Sequence, residues 1–176
     1  MTVWRQAARQ WRWLCVWFLA AGSMSLAWAQ LSVAALPNGE LPVVRELWAD
    51  PSGQASLQEA MGQTYRPVPA IVSRGYKQDA TWMRVTVPPT DEDNLWLTIQ
   101  PIYLDDVQVF SRAWLPMGAW GPWTLRQEGD RFPFLHKERP TLVTSLALDT
   151  SPTEPTVVYV RLRSTSTHSL AVKVRT

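Results

Sequence analysis

The sequence predicts an antiparallel β-sandwich, and three observations support this fold class. Apolar and polar residues alternate from about residue 81 onward, turn formers separate the alternating segments, and only one short stretch carries helical signals. Alternation with a period of two is typical of strands that bury one face. Roughly seven or eight short strands with turns at this spacing indicate a sandwich of two sheets.

The first 29 residues have the features of a secretory signal peptide. Three arginines and no acidic residue precede an apolar run at 13–21, and the small-x-small pattern at 27–29 suits signal peptidase. A permanent membrane anchor is the alternative, but the apolar run is shorter than the roughly 20 residues that span a bilayer. The single cysteine, Cys15, lies in this segment. We therefore expect cleavage before Gln30, export, and a mature protein without disulfides.

Charge and composition limit the function of the mature protein. The predicted signal peptide holds three of the 17 Lys and Arg residues and none of the 15 Asp and Glu residues, so 14 basic residues face 15 acidic ones in the remainder. Nucleic-acid binding needs a concentrated basic surface, so we expect no nucleic-acid partner. Six of the 11 tryptophans lie in the mature part. They predict either an aromatic core or an exposed stacking surface.

The segments of the mature chain follow from turn formers and periodicity. Residues 30–42 contain Pro and Gly without periodicity and are predicted to be a flexible leader, while 43–176 are predicted to form one domain. Ser56-Leu-Gln-Glu59 is a capping box, which predicts one short helix at about 56–61. The domain opens at 43–48, and strands are predicted at 81–87, 95–100, around 107–109, 142–148, 156–163 and 169–175.

Two of these strands place aromatic and charged residues on the face opposite to their aliphatic residues. Trp82 and Arg84 share one face of their strand, and Tyr159 and Arg161 share one face of another. If these strands are neighbours, their rings and guanidinium groups line one sheet surface. Such a surface suits recognition of a hydroxylated or anionic molecule. The alternative is a cation–π ladder that only covers the sheet.

Three further indoles are candidates for ligand binding. Trp114, Trp120 and Trp123 lie in a stretch rich in Pro and Gly, which we interpret as a connection between strands. A loop of this kind can present flat rings to a sugar face or to a peptide. The alternative is that one or two of these rings plug the open end of the sandwich.

Signals for catalysis and for metal binding are weak. His136 and His168 lie in separate polar segments, and no metal-ligand spacing or nucleophile motif is present in the sequence. Acidic residues at 105–106 and 91–93 raise glycoside hydrolysis or calcium binding as alternatives. However, adjacent residues of a strand point to opposite faces, and the spacing is not that of a calcium loop. We expect no catalytic residues, no metal site and no cofactor.

Several segments together resemble a known module. In chain order they are residues 48–61, 75–84, 95–110, 129–134 and 159–164. They resemble the type-2 extracellular domain of bacterial seven-transmembrane receptors with diverse intracellular signalling modules, over about 43–176. The most specific piece is the Trp-x-Arg strand, preceded by Gly75 and followed by a Leu-Asp-x-Val strand. The resemblance implies a jelly-roll sandwich akin to carbohydrate-binding modules, located in the periplasm and coupled to a membrane bundle with a kinase or cyclase output.

The leading hypothesis is a non-enzymatic periplasmic sensory domain that binds a small, carbohydrate-like ligand. The ligand-binding residues predicted for it are Trp82, Arg84, Trp114, Trp120, Trp123, Tyr159 and Arg161. A second hypothesis is an interaction module that docks another protein and binds no small molecule, and a hydrolase is a distant third. Because receptors of this kind continue into seven apolar helices, we expect either a piece of a longer receptor or a stand-alone version.

Overall fold

The computed structural model describes residues 33–132 and 143–176 of the chain. The predicted signal peptide at 1–29, His136, and Leu142 at the predicted start of one strand lie outside the described residues. Ten strands and one short helix are formed within the described ranges.

The strands alternate with short connections along the chain, and every strand pairing is antiparallel. They are β1 (Val44–Asp50), β2 (Arg66–Pro67), β3 (Ile71–Tyr76), β4 (Ala80–Val87), β5 (Leu95–Gln100), β6 (Asp106–Leu115), β7 (Ala119–Glu128), β8 (Thr144–Leu148), β9 (Thr156–Arg163) and β10 (Thr167–Arg175). The helix α1 covers Leu57–Met61, between β1 and β2.

The strands form two sheets. One sheet has six strands in the order β2-β1-β4-β9-β6-β7, and the other has four strands in the order β3-β10-β5-β8. A continuous apolar core draws residues from both sheets, so the sheets pack face to face. The predicted all-β antiparallel sandwich is confirmed.

The core consists of the alternating aliphatic positions. Met83 and Val85 of β4, Leu97 and Ile99 of β5, and Val160 of β9 are all 0% exposed. Burying a side chain of this kind stabilises the fold by about 1.5–3 kcal/mol. The period of two seen in the sequence therefore marks the face of each strand that turns toward the other sheet.

The predicted helix is confirmed, together with its cap. The backbone N–H of Glu59 donates to Oγ of Ser56 over 3.3 Å, and the backbone N–H of Ser56 donates to the Glu59 carboxylate over 2.7 Å. These reciprocal bonds satisfy donors that the first helical turn leaves free. The helix ends at Gly62. Its residues Leu57 and Ala60 pack on the six-stranded sheet.

The segment before β1 is attached to the sandwich. Leu41 is 0% exposed and belongs to the core between the sheets. Its backbone N–H donates to the carbonyl of Val174 over 2.9 Å, and Glu40 forms a β-bridge with Arg175. The sequence predicted that the domain starts at residue 43. The packed region begins before that residue, because Leu41 fills a core position.

Candidate functional site

The six-stranded sheet carries an aromatic cluster on its outer face, the face turned away from the other sheet. Strands β4 and β9 are neighbours, with Trp82 opposite Arg161 and Arg84 opposite Tyr159. Buried residues of the cluster include Tyr65, Trp82 and Tyr159. The predicted surface of rings and guanidinium groups is therefore formed, although its members differ greatly in exposure.

Trp82 forms the floor of this cluster. Its side chain is 0% exposed, and its ring stacks on Phe110 with 5.6 Å between centroids. The guanidinium carbon of Arg161 lies 5.8 Å from the same indole. Because Trp82 is covered by its neighbours, a molecule on the protein surface does not touch its ring.

Arg161 ties the turn after β1 to the sheet. Its guanidinium donates to the side-chain carbonyl of Gln108 over 3.0 Å and to the backbone carbonyl of Gly53 over 2.6 Å. Burial lowers the pKa of Arg161 below its ordinary value. The group is thus engaged by the protein itself.

Arg84 is also engaged by the protein. It donates to the Glu46 carboxylate through Nε over 2.9 Å, and its Nη2 lies 2.8 Å from the same oxygen. Its guanidinium carbon lies 4.7 Å from the centroid of Tyr65. Burial acts to lower the pKa of Arg84, but the hydrogen bond to Glu46 and the negative charge of its carboxylate outweigh burial and raise the pKa. Because Arg84 is already paired with Glu46, its guanidinium has fewer free N–H groups to donate to a ligand.

The three indoles of the predicted loop lie on strands instead. Trp114 is in β6, while Trp120 and Trp123 are in β7, and the two strands form a hairpin with its turn at residues 116–118. Gly118 has a φ of 74°, which suits a short turn of this kind. The prediction of a long connection at 114–123 was wrong. Pro122 is compatible with a strand because β7 is the edge of its sheet.

The hairpin holds an arginine between two indoles. The guanidinium carbon of Arg112 lies 4.6 Å from the ring centroid of Trp123 and 5.2 Å from that of Trp120. Trp114 contacts Trp120 edge to face, with 4.9 Å between centroids, and the indole N–H of Trp120 donates to Glu154 over 3.0 Å. All three indoles and Arg112 are half-buried. The hairpin therefore offers partly accessible rings with fixed orientation.

Tyr159 joins the hairpin to the rest of the cluster. Its ring meets Trp123 edge to face at 5.6 Å and Tyr65 at 6.1 Å. Tyr159 is only 5% exposed. It therefore supports the indole of Trp123 from beneath and presents little surface of its own.

A further cleft lies outside the residues predicted from the sequence. It has a volume of about 510 Å³ and lies where four segments of the chain meet at one end of the sandwich. It is lined by Tyr76, Lys77, Gln78, Asp79, Asp105, Asp106, Arg131, Arg163, Ser164 and Thr165. The adjacent acids at 105–106 were the only residues of this cleft that the sequence marked as candidates for a site. Their pattern does not reveal which other segments of the chain lie beside them in the fold.

The described residues contain no group of three or more His, Cys, Asp or Glu side chains placed to hold a metal ion. His168 is 1% exposed and lies in a structural network. Its Nδ1 is 2.8 Å from the Thr81 hydroxyl, and its Nε2 is 3.2 Å from the carbonyl of Ser164. Buried and bonded on both sides, this ring joins the two sheets.

The fold and this surface define the chain as an antiparallel β-sandwich module with an aromatic sheet face. The family model 7TMR-DISM extracellular 2 matches residues 45–176, and the chain belongs to this family. The predicted resemblance is confirmed: this is an extracellular sensory domain of the kind found in seven-transmembrane receptors. No curated protein matches the chain. Among the residues that the structure covers, no helix is long and apolar enough to cross a membrane.

Proposed function

We infer that this protein is a non-enzymatic, periplasmic ligand-sensing domain that binds a small hydroxylated molecule of the carbohydrate class. Membership of a receptor sensory family supports the sensing role. The observation that supports the ligand class is the β6–β7 hairpin, where Arg112 lies between the half-buried rings of Trp120 and Trp123. Flat rings contact the apolar face of a sugar, and a guanidinium donates to its hydroxyl oxygens.

The predicted site residues take two roles in this proposal. Trp114, Trp120 and Trp123 provide the contact surface, with Trp120 oriented by its bond to Glu154. Trp82, Arg84, Tyr159 and Arg161 form the supporting layer, since each is buried or engaged by another residue. Tyr159 of this layer supports Trp123, while Trp120 is held by Trp114 and Glu154, so these rings lose little conformational freedom on binding, which favours affinity.

The location follows from the predicted signal peptide at 1–29. Its basic start, apolar run and small-x-small end are the features that direct export. In a receptor of this family, the sandwich would lie outside the cytoplasmic membrane and act on a bundle of membrane helices. Ligand binding would then change the output of an intracellular signalling module.

Isothermal titration of the purified protein against neutral oligosaccharides and acidic metabolites tests this proposal. We expect a saturable signal for at least one sugar, weakened at least tenfold by Trp120→Ala. The matched control is Trp96→Ala, which removes a half-buried indole from β5 in the other sheet. Arg84→Ala should weaken binding less, because Arg84 acts through the supporting layer. Equal affinity in wild type and Trp120→Ala would exclude the hairpin as the site.

A second candidate function is protein docking through the same hairpin. Met117 is 85% exposed at its turn, and Leu125 is 49% exposed on β7. Apolar groups exposed on an edge hairpin suit a protein partner. Affinity capture from a periplasmic extract separates the two functions. A stable partner that Met117→Asp and Leu125→Asp abolish, in a protein with no sugar signal, would favour docking.

A further inference from the structure

The cleft at the end of the sandwich is separate from the indoles of the hairpin. Its walls are the β3–β4 turn, the segment around the start of β6, Arg131 after β7, and the β9–β10 turn, and none of its lining residues lies between 112 and 123. A volume of about 510 Å³ is within the range of small-molecule sites. Space of this size suits a monosaccharide or a compound of similar dimensions.

Two acids of the cleft already have partners inside the protein. The carboxylate of Asp79 accepts from Arg74 over 3.0 and 2.6 Å. Asp105 accepts from the backbone N–H of Thr165 over 2.6 Å and from its hydroxyl over 2.7 Å. The same backbone bond lowers the pKa of Asp105 below its ordinary value. These two carboxylates shape the loops and do not require a ligand.

The basic groups of the cleft are less engaged by the protein than these two acids are. Lys77 and Arg163 are exposed in its walls, and neither forms an ion pair within residues 33–132 and 143–176. Arg131, the third basic residue of the lining, is also exposed, and its charge contributes to the lowered pKa of Asp105. A guanidinium beside an exposed ammonium attracts a carboxylate, and the guanidinium can bind it through two parallel bonds. With Asp79 and Asp105 engaged, the three basic residues of the lining outnumber the remaining carboxylate, that of Asp106, so the charge of the cleft favours an anion.

One acceptor in the cleft lacks a donor. Oδ1 of Asp106 is buried and has no hydrogen-bond partner in the described part of the chain. Asp106 stands directly opposite Arg163 in the β6–β9 ladder, and both residues line the cleft. A buried carboxylate oxygen without a partner costs free energy that a ligand hydroxyl would recover. The ligand should therefore carry a hydroxyl group close to its carboxylate.

An aromatic ring completes the cleft. Tyr76 lines it and is 78% exposed, an unusual exposure for a large ring. A ring in this position can cover the apolar face of a sugar. Neither a simple carboxylate nor a neutral sugar would use all of these groups.

We propose that this cleft binds an acidic sugar, a uronic acid, as a second site on the domain. Arg163 and Lys77 hold the carboxylate, Asp106 accepts from a ring hydroxyl, and Tyr76 covers one face of the sugar. The site deepens the proposed sensing function by naming an anionic ligand class. It does not depend on Arg112 or on the three indoles of the hairpin.

Titration of the purified protein with glucuronate, glucose and acetate tests the proposal, with heat and NMR shifts as readouts. We expect glucuronate to bind at least tenfold more tightly than either of the others. Arg163→Gln should weaken glucuronate at least tenfold, and added salt should weaken it in wild type. The matched control, Arg66→Gln, changes an exposed arginine of β2 outside the cleft. Circular dichroism and thermal melts identify any variant that has lost its fold.

The two sites give different outcomes in this experiment. Trp120→Ala should leave glucuronate affinity unchanged if the cleft is the site. If Trp120→Ala lost glucuronate binding and Arg163→Gln retained it, the cleft proposal would be overturned and the hairpin supported as the site. Equal affinity for glucuronate and glucose, or no glucuronate binding in wild type, would also overturn it. Asp106→Asn, which keeps the shape of the side chain, should raise the dissociation constant for glucuronate, and unchanged affinity would contradict the role given to Asp106.

Discussion

Replacement of Trp82 by alanine tests whether the outer-face cluster is a second packed core. The side chain is 0% exposed and its ring stacks on Phe110. Truncation of a buried tryptophan to alanine costs about 3–5 kcal/mol, of which the aromatic pair contributes about 0.5–1.5 kcal/mol. The indole nitrogen has no hydrogen-bond partner in the described residues, so no hydrogen bond is lost. We expect the free energy of unfolding to fall by about 3–5 kcal/mol.

Urea unfolding followed by circular dichroism measures this effect. Trp120→Ala is the matched control, because that indole is half-buried on the hairpin and its removal should cost about 1 kcal/mol. Trp82→Phe keeps a ring in the stack and should retain a folded state even if the alanine variant unfolds. Equal stability of Trp82→Ala and Trp120→Ala would show that Trp82 is not a packing residue.

Three further predictions concern local structure and pH. Burial of Asp50 acts to raise its pKa, but hydrogen bonds within its turn outweigh burial and lower the pKa, so the stability that this carboxylate contributes is lost as the pH falls below about 4. Asp50→Asn should reduce the loss of stability between about pH 7 and about pH 3, as measured by urea titrations. Ser56→Ala removes the helix cap and should lower the melting temperature by an amount equivalent to about 1 kcal/mol, whereas no change would exclude a role of the cap in stability. Gly129 has a φ of 129°, and a Cβ added there would collide with the carbonyl of Asp105, whereas a Cβ added at Gly118 would meet open space. Gly129→Ala should therefore destabilise the fold more than Gly118→Ala, and the reverse order in thermal melts would contradict the backbone geometry.

The sequence predicts strands well where the apolar pattern alternates. Strand β5 at Leu95–Gln100 has the predicted bounds, because Leu95, Leu97 and Ile99 all face the core. Strand β9 at Thr156–Arg163 is also as predicted. Burial of one face produces this pattern, so it can be recognised without any knowledge of the neighbouring strands.

Edge strands were harder to predict. Strand β3 contains Gly75 with a φ of 69°, and β7 contains Gly121 and Pro122, so both sequences look like turns. Each of these strands is at the edge of its sheet, where missing N–H groups and irregular backbone are tolerated. Turn formers alone therefore do not separate an edge strand from a loop.

The candidate site was predictable only in part. The alternation of Trp82 with Arg84 correctly placed them on one face, but their exposure depends on Tyr65 and α1, which cover the sheet from a distant part of the sequence. The cleft depends on four segments that approach only when both sheets are assembled. Local patterns specify which face a residue occupies, whereas long-range packing decides whether that face is accessible.

Binding at the hairpin can be measured residue by residue through the indole N–H signals of the tryptophans in two-dimensional NMR. Neutral oligosaccharides would be titrated into the protein, with signals assigned by single Trp→Phe replacements. We expect the signals of Trp120 and Trp123 to shift with saturation while that of the buried Trp82 changes little. Shifts confined to Trp96 on the other sheet, or no shift at any indole with any of the sugars, would contradict ligand sensing by the hairpin.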